Sequence, residues 1–352
     1  MNKKVSINGR ELSSIKPPYI IAELSANHSG SLDCALKSIL AAKKSGVDAV
    51  KIQTYTPDTM TIRSNANDFK IKDGLWKGKT YYDLYAEAYT PFEWHAELFA
   101  YAKKLNLTIF SSPFDETAVD LLESLDSPAY KIASFEIVDI PLISYIAKTK
   151  KPILISTGMA NFDEIGEALE AARINGCNQI AIFHCISSYP AKLCEANLKM
   201  INLLQKEFNV EVGLSDHTTD NKASVIATSL GASLIEKHFT LSRDNKSADS
   251  SFSLEPNEMK QLVNDCKDTY FALGKNSFNR SSDEMTNKKF RRSLYFIKDL
   301  NEGDIINNKH IKRIRPGFGL APKFYKQVIG SKVTKKVKRG DRVSLDNIEL
   351  ST

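Results

Sequence analysis

Between residues 19 and 273, short apolar runs alternate with longer stretches in which apolar residues recur every three or four positions. The runs Tyr19 to Leu24, Ala49 to Gln53, Thr108 to Ser111, Ala129 to Ile132, Ile153 to Ser156, Ile180 to Cys185, Val212 to Ser215 and Leu234 to Lys237 predict strands. A helix is predicted after each. In the first, Ser31 is a candidate N-cap, Leu32, Ala35, Leu36, Ile39 and Leu40 keep the helical spacing, and Gly46 closes it. The others cover Pro91 to Leu105, Glu116 to Leu125, Pro141 to Thr149, Phe162 to Asn175, Leu198 to Glu207, Ala223 to Leu230 and Glu255 to Leu273. Such a series of strand and helix pairs predicts an α/β chain folded as a (β/α)8 TIM barrel, with its functional residues at the C-terminal ends of the strands.

Two regions break the alternation. Thr54 to Thr90 is too long for a barrel loop and is rich in aromatics (Trp76, Tyr81, Tyr82, Tyr85), which predicts an ordered lid. After Gly274 a polar stretch reads as a linker over 275–290, and residues 291–352 form a separate unit. Within it Leu300 to Ile306 is repeated by Val337 to Val343, each with a Gly-Asp turn, and Ile311 and Ile348 follow at equal distance. The repeat predicts a small pseudo-symmetric β-rich domain around the basic loop Arg313-Ile314-Arg315-Pro316-Gly317.

Composition narrows the class. Hydrophobic residues make up 42%, a globular proportion, and no apolar run approaches the roughly 20 residues that span a bilayer. No apolar segment follows the N-terminal lysines, so a cytoplasmic protein without a membrane partner is expected. Five cysteines without C-x-x-C spacing argue against a disulfide framework and a structural zinc site. From Arg291 onward there are 15 Lys+Arg against 6 Asp+Glu, a net +9, so the first 290 residues carry −3 of the total +6. The basic residues are not interleaved with stacking aromatics, which argues against nucleic acid.

The chemistry collects at the predicted strand ends. His217 and His238 follow adjacent strands at matched positions, so a parallel arrangement brings two imidazoles to one rim as a metal site. By ligand type alone zinc or iron comes before manganese. Glu23, Lys51, Gln53, Ser111, Ser112, Lys131, Ser134, Ser156, Tyr189 and Ser215 fall at the same mouth. Two lysines beside several serines predict an anion site, with a Schiff-base lysine as the alternative. Glu23 and Asp249 are candidates for a general base or for orienting a sugar hydroxyl.

Specific segments add a resemblance. Ile21 to His28, Val50 to Gln53, Ser111 to Phe114, Ala129 to Ser134, Ser156 to Met159, His184-Cys185, Tyr189-Pro190, Gly213 to Thr218, Glu236 to Phe239 and Arg315 to Gly317 occur in order along nearly the whole chain. With them the chain resembles the sialic acid synthase family, which condenses phosphoenolpyruvate with an N-acetylated amino sugar. The resemblance implies that Lys51, Ser112, Lys131, Ser134, Ser156 and Ser215 hold phosphoenolpyruvate. It also implies that His217 and His238 bind a divalent metal, Mn2+ before Mg2+ or Co2+, with Glu23 as a further catalytic residue. Glu23, Gln53, Tyr189, Asp249 and Arg315 would face the sugar, and the tail would be an antifreeze-like SAF domain that reaches across a domain-swapped homodimer. Ser112 and Ser187 depart from members that make N-acetylneuraminate. The 73–78 and 83–85 segments and Ser134 to Asp139 look more like the pseudaminic acid synthase branch, so the expected sugar is a 2,4-diacetamido-2,4,6-trideoxy hexose. N-acetylneuraminate or legionaminate synthesis is the alternative, and a sugar-binding protein without catalysis is the rival of a different class.

Overall fold

The structure, a computed structural model, describes residues 4–245, 247–275 and 277–350. The chain divides into two compact units, residues 1–274 and 275–352. The first begins with a hairpin of two three-residue strands, β1 (Val5–Ile7) and β2 (Arg10–Leu12). Eight parallel strands then close into a barrel: β3 (Tyr19–Glu23), β4 (Ala49–Thr54), β5 (Thr108–Pro113), β6 (Tyr130–Ile132), β7 (Ile153–Ser156), β8 (Ile180–Cys185), β9 (Glu211–Asp216) and β10 (Leu234–His238), with β10 pairing back onto β3. The fold class is the one the alternation predicts.

The first connection shows why the local sequence folds as it does. Helix α1 (Leu32–Ser45) starts where the Ser31 side chain accepts from the Cys34 amide and ends at Gly46, whose φ of 86° is a left-handed value that favours glycine. The short helix α2 (Pro57–Met60) and α3 (Tyr81–Ala88) lie in the long connection after β4, so the expected lid segment is ordered. Around the barrel follow α4 (Phe92–Lys104), α5 (Glu116–Ser124), α6 (Ile140–Ala147), α7 (Phe162–Ile174), α8 (Met200–Phe208), α9 (Lys222–Ser229) and α10 (Pro256–Leu273).

Side chains alternate across each strand, and the two faces meet different neighbours. The outward set, among them Ile20, Val50, Ile109, Ile132, Ile155, Ile182, Val212 and Ile235, packs with the helices in one core. The inward set is apolar at the N-terminal end: Tyr19, Ile21, Ala49, Phe110, Ala129, Leu154, Ala181, Phe183 and Leu234 cluster with Val5, Ile7 and Leu12 of the hairpin. The hairpin therefore plugs the bottom of the barrel. Inward positions one step further along the same strands are Glu23, Lys51, Ser112, Lys131, Ser156, Ser215 and Glu236, so the alternation that builds the plug also aims the polar groups into the opposite mouth. Gly213 sits where a Cβ would stand 2.6 Å from the Leu234 carbonyl, which excludes any larger residue between β9 and β10.

The second unit opens with a short helix, α11 (Ser282–Thr286), inside the stretch read as linker. Its core gathers Leu294, Phe296, Leu300, Ile306, Ile311, Val328, Val333, Val337, Val343 and Ile348. Strands β11 (Ser293–Phe296) and β12 (Ile311–Ile314) pair antiparallel, as do β13 (Lys332–Val333) and β14 (Ile348–Glu349), and the short helix α12 (Tyr325–Val328) lies between β12 and β13 in the chain. The two Gly-Asp turns are equivalent. Asp304 accepts from the Asn301 amide and Asp341 from the Lys338 amide, each at 2.7 Å, and Leu300 and Val337 exchange backbone hydrogen bonds at 3.0 Å. The sequence repeat is thus a structural one.

Candidate active site

Strand register sets the neighbours at the mouth. Glu23 lies beside His238 on one side and Lys51 on the other, and Ser215 lies beside Glu236. Lys51 Nζ sits 2.7 Å from Glu23 and 3.7 Å from Glu236, and donates to Ser112 Oγ at 3.2 Å. Lys131 Nζ donates to both carboxylate oxygens of Glu236, at 2.9 and 3.1 Å, and Ser215 Oγ donates to one of them at 3.2 Å. All four charged side chains are at most 6% exposed, so their charges are screened by one another and not by water.

Burial and pairing set their protonation. Burial works against charge on Glu236, but Lys131 and Lys51 outweigh it and hold its carboxyl at about 2. Glu23 moves the other way, because burial pushes it up and Glu236 adds to that against the pull of Lys51. Lys131 is lowered by burial beyond what Glu236 restores. Around the cage, Ser134 Oγ donates to Cys185 Sγ at 3.3 Å, and the buried Ser156 hydroxyl has no protein partner. Lys51, Ser112, Lys131, Ser134, Ser156 and Ser215 therefore lie at one mouth.

The histidines stand next to this cage, their ring centroids 5.3 Å apart. His217 Nδ1 is 2.9 Å from the Ile186 carbonyl and so carries a proton; in the neutral ring the lone pair is on Nε2. Burial works to lower His217, but the neighbouring Cys185 and the Ile186 carbonyl leave it raised. His238 is held well below its ordinary value by burial and by His217, hence neutral, and its Nδ1 has no hydrogen-bond partner. Two imidazoles with an unclaimed nitrogen in a buried polar mouth fit a divalent ion of borderline hardness. Among the described residues no third His, Cys, Asp or Glu completes a metal cluster, so most of such an ion's coordination would be left to water or substrate.

The residues expected to meet a sugar line the remaining wall. Gln53 Nε2 donates to Glu23 at 3.2 Å and to Ser25 at 3.1 Å, and Ser25 in turn donates to Asp249. Asp249 lies 3.8 Å from His238 Nδ1. Tyr189, which precedes a cis proline, places its ring 4.4 Å from that of His217. Arg315 belongs to the second unit, exposed in the loop after β12; there Gly317 packs so that a Cβ would lie 2.7 Å from the Lys288 carbonyl.

Three points depart from the sequence reading. Ser111 does not join the mouth: it faces the helix layer and bonds the Ile52 carbonyl at 3.0 Å and Thr54, which reaches His95. The sequence pattern does not mark Glu236, although it stands two residues before His238 on one strand and so on the same face. Lys237, on the opposite face, is buried against Asp216 at 2.9 Å and the Thr218 and Asp220 carbonyls, and so fastens the loop that carries His217. A separate cavity of about 250 Å³ at the N-terminal end, lined by Lys4, Glu11, Arg173 and Glu211 among others, holds none of the predicted site residues.

Comparison with known proteins bears on this arrangement. Residues 38–278 match the family model described as the NeuB family, and residues 291–349 match that of the SAF domain. The chain is 46% identical over 338 residues to the pseudaminic acid synthase of Helicobacter pylori, covering 96% of this chain and 99% of that protein. It is 46% identical over 326 residues to the pseudaminic acid synthase of Campylobacter jejuni, covering 93% and 95%. Among solved structures, the N-acetylneuraminic acid synthetase of Leptospira borgpetersenii superposes with a TM-score of 0.73 at 27% identity, covering 82% of this chain and 95% of that one.

Proposed function

The chain belongs to the NeuB family and ends in a SAF domain, and on that premise we propose that it joins phosphoenolpyruvate to 2,4-diacetamido-2,4,6-trideoxy-β-L-altropyranose, giving pseudaminic acid and phosphate. The observation that carries the reading is the buried Lys51–Glu236–Lys131 cage with its serine hydroxyls, set beside two neighbouring imidazoles. The choice of sugar rests on the 46% identity to relatives named for that product.

Lys51 and Lys131 take the phosphate and carboxylate of phosphoenolpyruvate as point charges, and Ser112, Ser134, Ser156 and Ser215 donate hydroxyls to their oxygens. Glu236 holds both ammonium groups in place between turnovers. His217 and His238 hold the metal, for which we propose Mn2+; when bound, such an ion supplies Lewis-acid polarisation to an aldehyde. Gln53, Tyr189 and Asp249 orient the open-chain sugar, and Glu23 positions its reacting end and the water. C3 of phosphoenolpyruvate bonds to the aldehyde carbon while the carbonyl π pair moves to the aldehyde oxygen, which takes up a proton. Water adds at the cationic C2 and gives up a proton. The new C2 hydroxyl then closes to the ketone, losing its proton, as the C2–O bond to the phosphate breaks and phosphate leaves. Arg315 completes the sugar site from a second copy in a homodimer. The +9 charge of the tail against −3 for the rest favours that association.

No helix among the described residues is long and apolar enough to cross a membrane, in keeping with a small-molecule enzyme of the cytoplasm. A Schiff-base aldolase shares one feature, the lowered Lys131. Its ammonium, however, is committed to both oxygens of Glu236. Phosphate release that requires both phosphoenolpyruvate and the sugar tests the proposal. Release without sugar, or a borohydride-trapped lysine adduct, would count for the alternatives.

A further inference from the structure

The mouth has two unlike walls. One is polar, built by Glu23, Gln53, Ser25 and Asp249. The other is aromatic: the Tyr189 ring lies 4.4 Å from His217, and Phe252 backs it at 5.5 Å while lying 5.0 Å from His238. The long connection after β4 adds a third ring to this second wall. Its 71–79 turn is pinned by the Ile71 amide on the Lys79 carbonyl at 2.9 Å and the Gly78 amide on the Ile71 carbonyl at 3.0 Å. At its tip Trp76 tilts against Tyr189, with 6.3 Å between centroids. The indole N–H reaches the Ala248 carbonyl at 3.4 Å, next to Asp249. Trp76 thus bridges from the Tyr189 loop to the Asp249 loop beside the two histidines.

An indole placed there spends its one donor on the backbone and offers the site only an apolar face. A hydroxyl pressed against that face would lose its water and gain no partner, whereas a methyl loses nothing. We propose that Trp76 is a specificity-determining residue, forming with Tyr189 an apolar roof that favours a sugar lacking the 6-hydroxyl. The inference rests on the function proposed above and adds to it which part of the sugar is read, and by which residue.

The test compares 2,4-diacetamido-2,4,6-trideoxyaltrose with its 6-hydroxy counterpart, 2,4-diacetamido-2,4-dideoxyaltrose, by phosphate release from the full-length protein. For the unsubstituted protein kcat/KM favours the deoxy sugar by about tenfold or more, as expected for one group in an apolar pocket. Trp76→Ala erases most of that preference through the sugar KM, with the KM for phosphoenolpyruvate within about twofold, and Trp76→Phe keeps part of it. Equal losses on both sugars would overturn the inference by making Trp76 a general lid residue. An unchanged preference would overturn it as well. Failure of the underlying reaction shows separately, as no phosphate from either sugar in the unsubstituted protein, and would overturn both readings.

Discussion

Removing the Lys131 ammonium is the perturbation whose effect follows most directly from the geometry. At 2.9 Å from Glu236, and with an effective dielectric of about 20, the attraction is about 6 kcal/mol. Lys131→Met forfeits it but also removes the burial penalty of the lysine, several kcal/mol in real proteins. Glu236 keeps Lys51 at 3.7 Å and the Ser215 hydroxyl at 3.2 Å, so it is not wholly stranded. The barrel should lose about 2–4 kcal/mol, near the lower end for a broken buried pair. Adding Glu236→Gln removes the stranded charge, and the double variant should recover at least about 1 kcal/mol of that loss. Urea unfolding followed by tryptophan fluorescence suits the measurement. Both tryptophans, Trp76 and Trp94, belong to the first unit, so the signal reports that unit alone. In kinetics, Lys131→Met should raise the KM for phosphoenolpyruvate more than that for the sugar. A neutral Lys131→Met, or a double variant no better than the single, would refute the buried cage.

Other outcomes follow from the same geometry. His217→Ala or His238→Ala should cut turnover at least about a hundredfold and abolish calorimetric metal binding, with the unfolding midpoint nearly unchanged; full activity in chelator-treated buffer would contradict the metal assignment. Arg315→Ala and Lys131→Ala, each strongly impaired alone, should regain activity when mixed and allowed to exchange subunits, because one site in each mixed dimer is whole; no recovery despite demonstrated exchange would place Arg315 in its own chain's site or in none. Glu136 is pushed up to about 7 by burial, with a smaller push from Asp139, and its Oε2 has no partner. A carboxyl raised in the folded state gives stability that is full below about pH 4 and lost as pH rises through about 7. Glu136→Gln should therefore gain about 1–3 kcal/mol over the unsubstituted protein at pH 8 and nothing at pH 4, and an equal gain at both would exclude titration as the cause.

The barrel was legible because each strand and helix carried its own period and punctuation. Ser31 and Gly46 cap α1 as expected, and β7 and β8 fall on the predicted residues. The β1–β2 hairpin was not legible: three residues per strand are too few to show a period, and its role comes from contacts with Phe110, Phe183 and Leu234, far along the chain. The mouth could be read as a list of polar strand ends but not as a circuit. Glu236 looked like part of an apolar strand because only its partners Lys51 and Lys131, from strands across the barrel, make sense of a carboxylate there. Ser111 and Ser112 look alike in sequence, and only the strand pleat sends one to the helices and the other to the site. Trp76 could be assigned to a lid, but its place beside Tyr189 is tertiary.

The proposed condensation of phosphoenolpyruvate with the diacetamido sugar at this mouth breaks the C2–O bond. Phosphoenolpyruvate carrying 18O in its bridging oxygen tests it in one experiment, with phosphate and sugar product both weighed by mass spectrometry. The expected result is a nine-carbon acid without label and phosphate that carries all of it. Label retained in the acid, or no phosphate released with the sugar present, would contradict it.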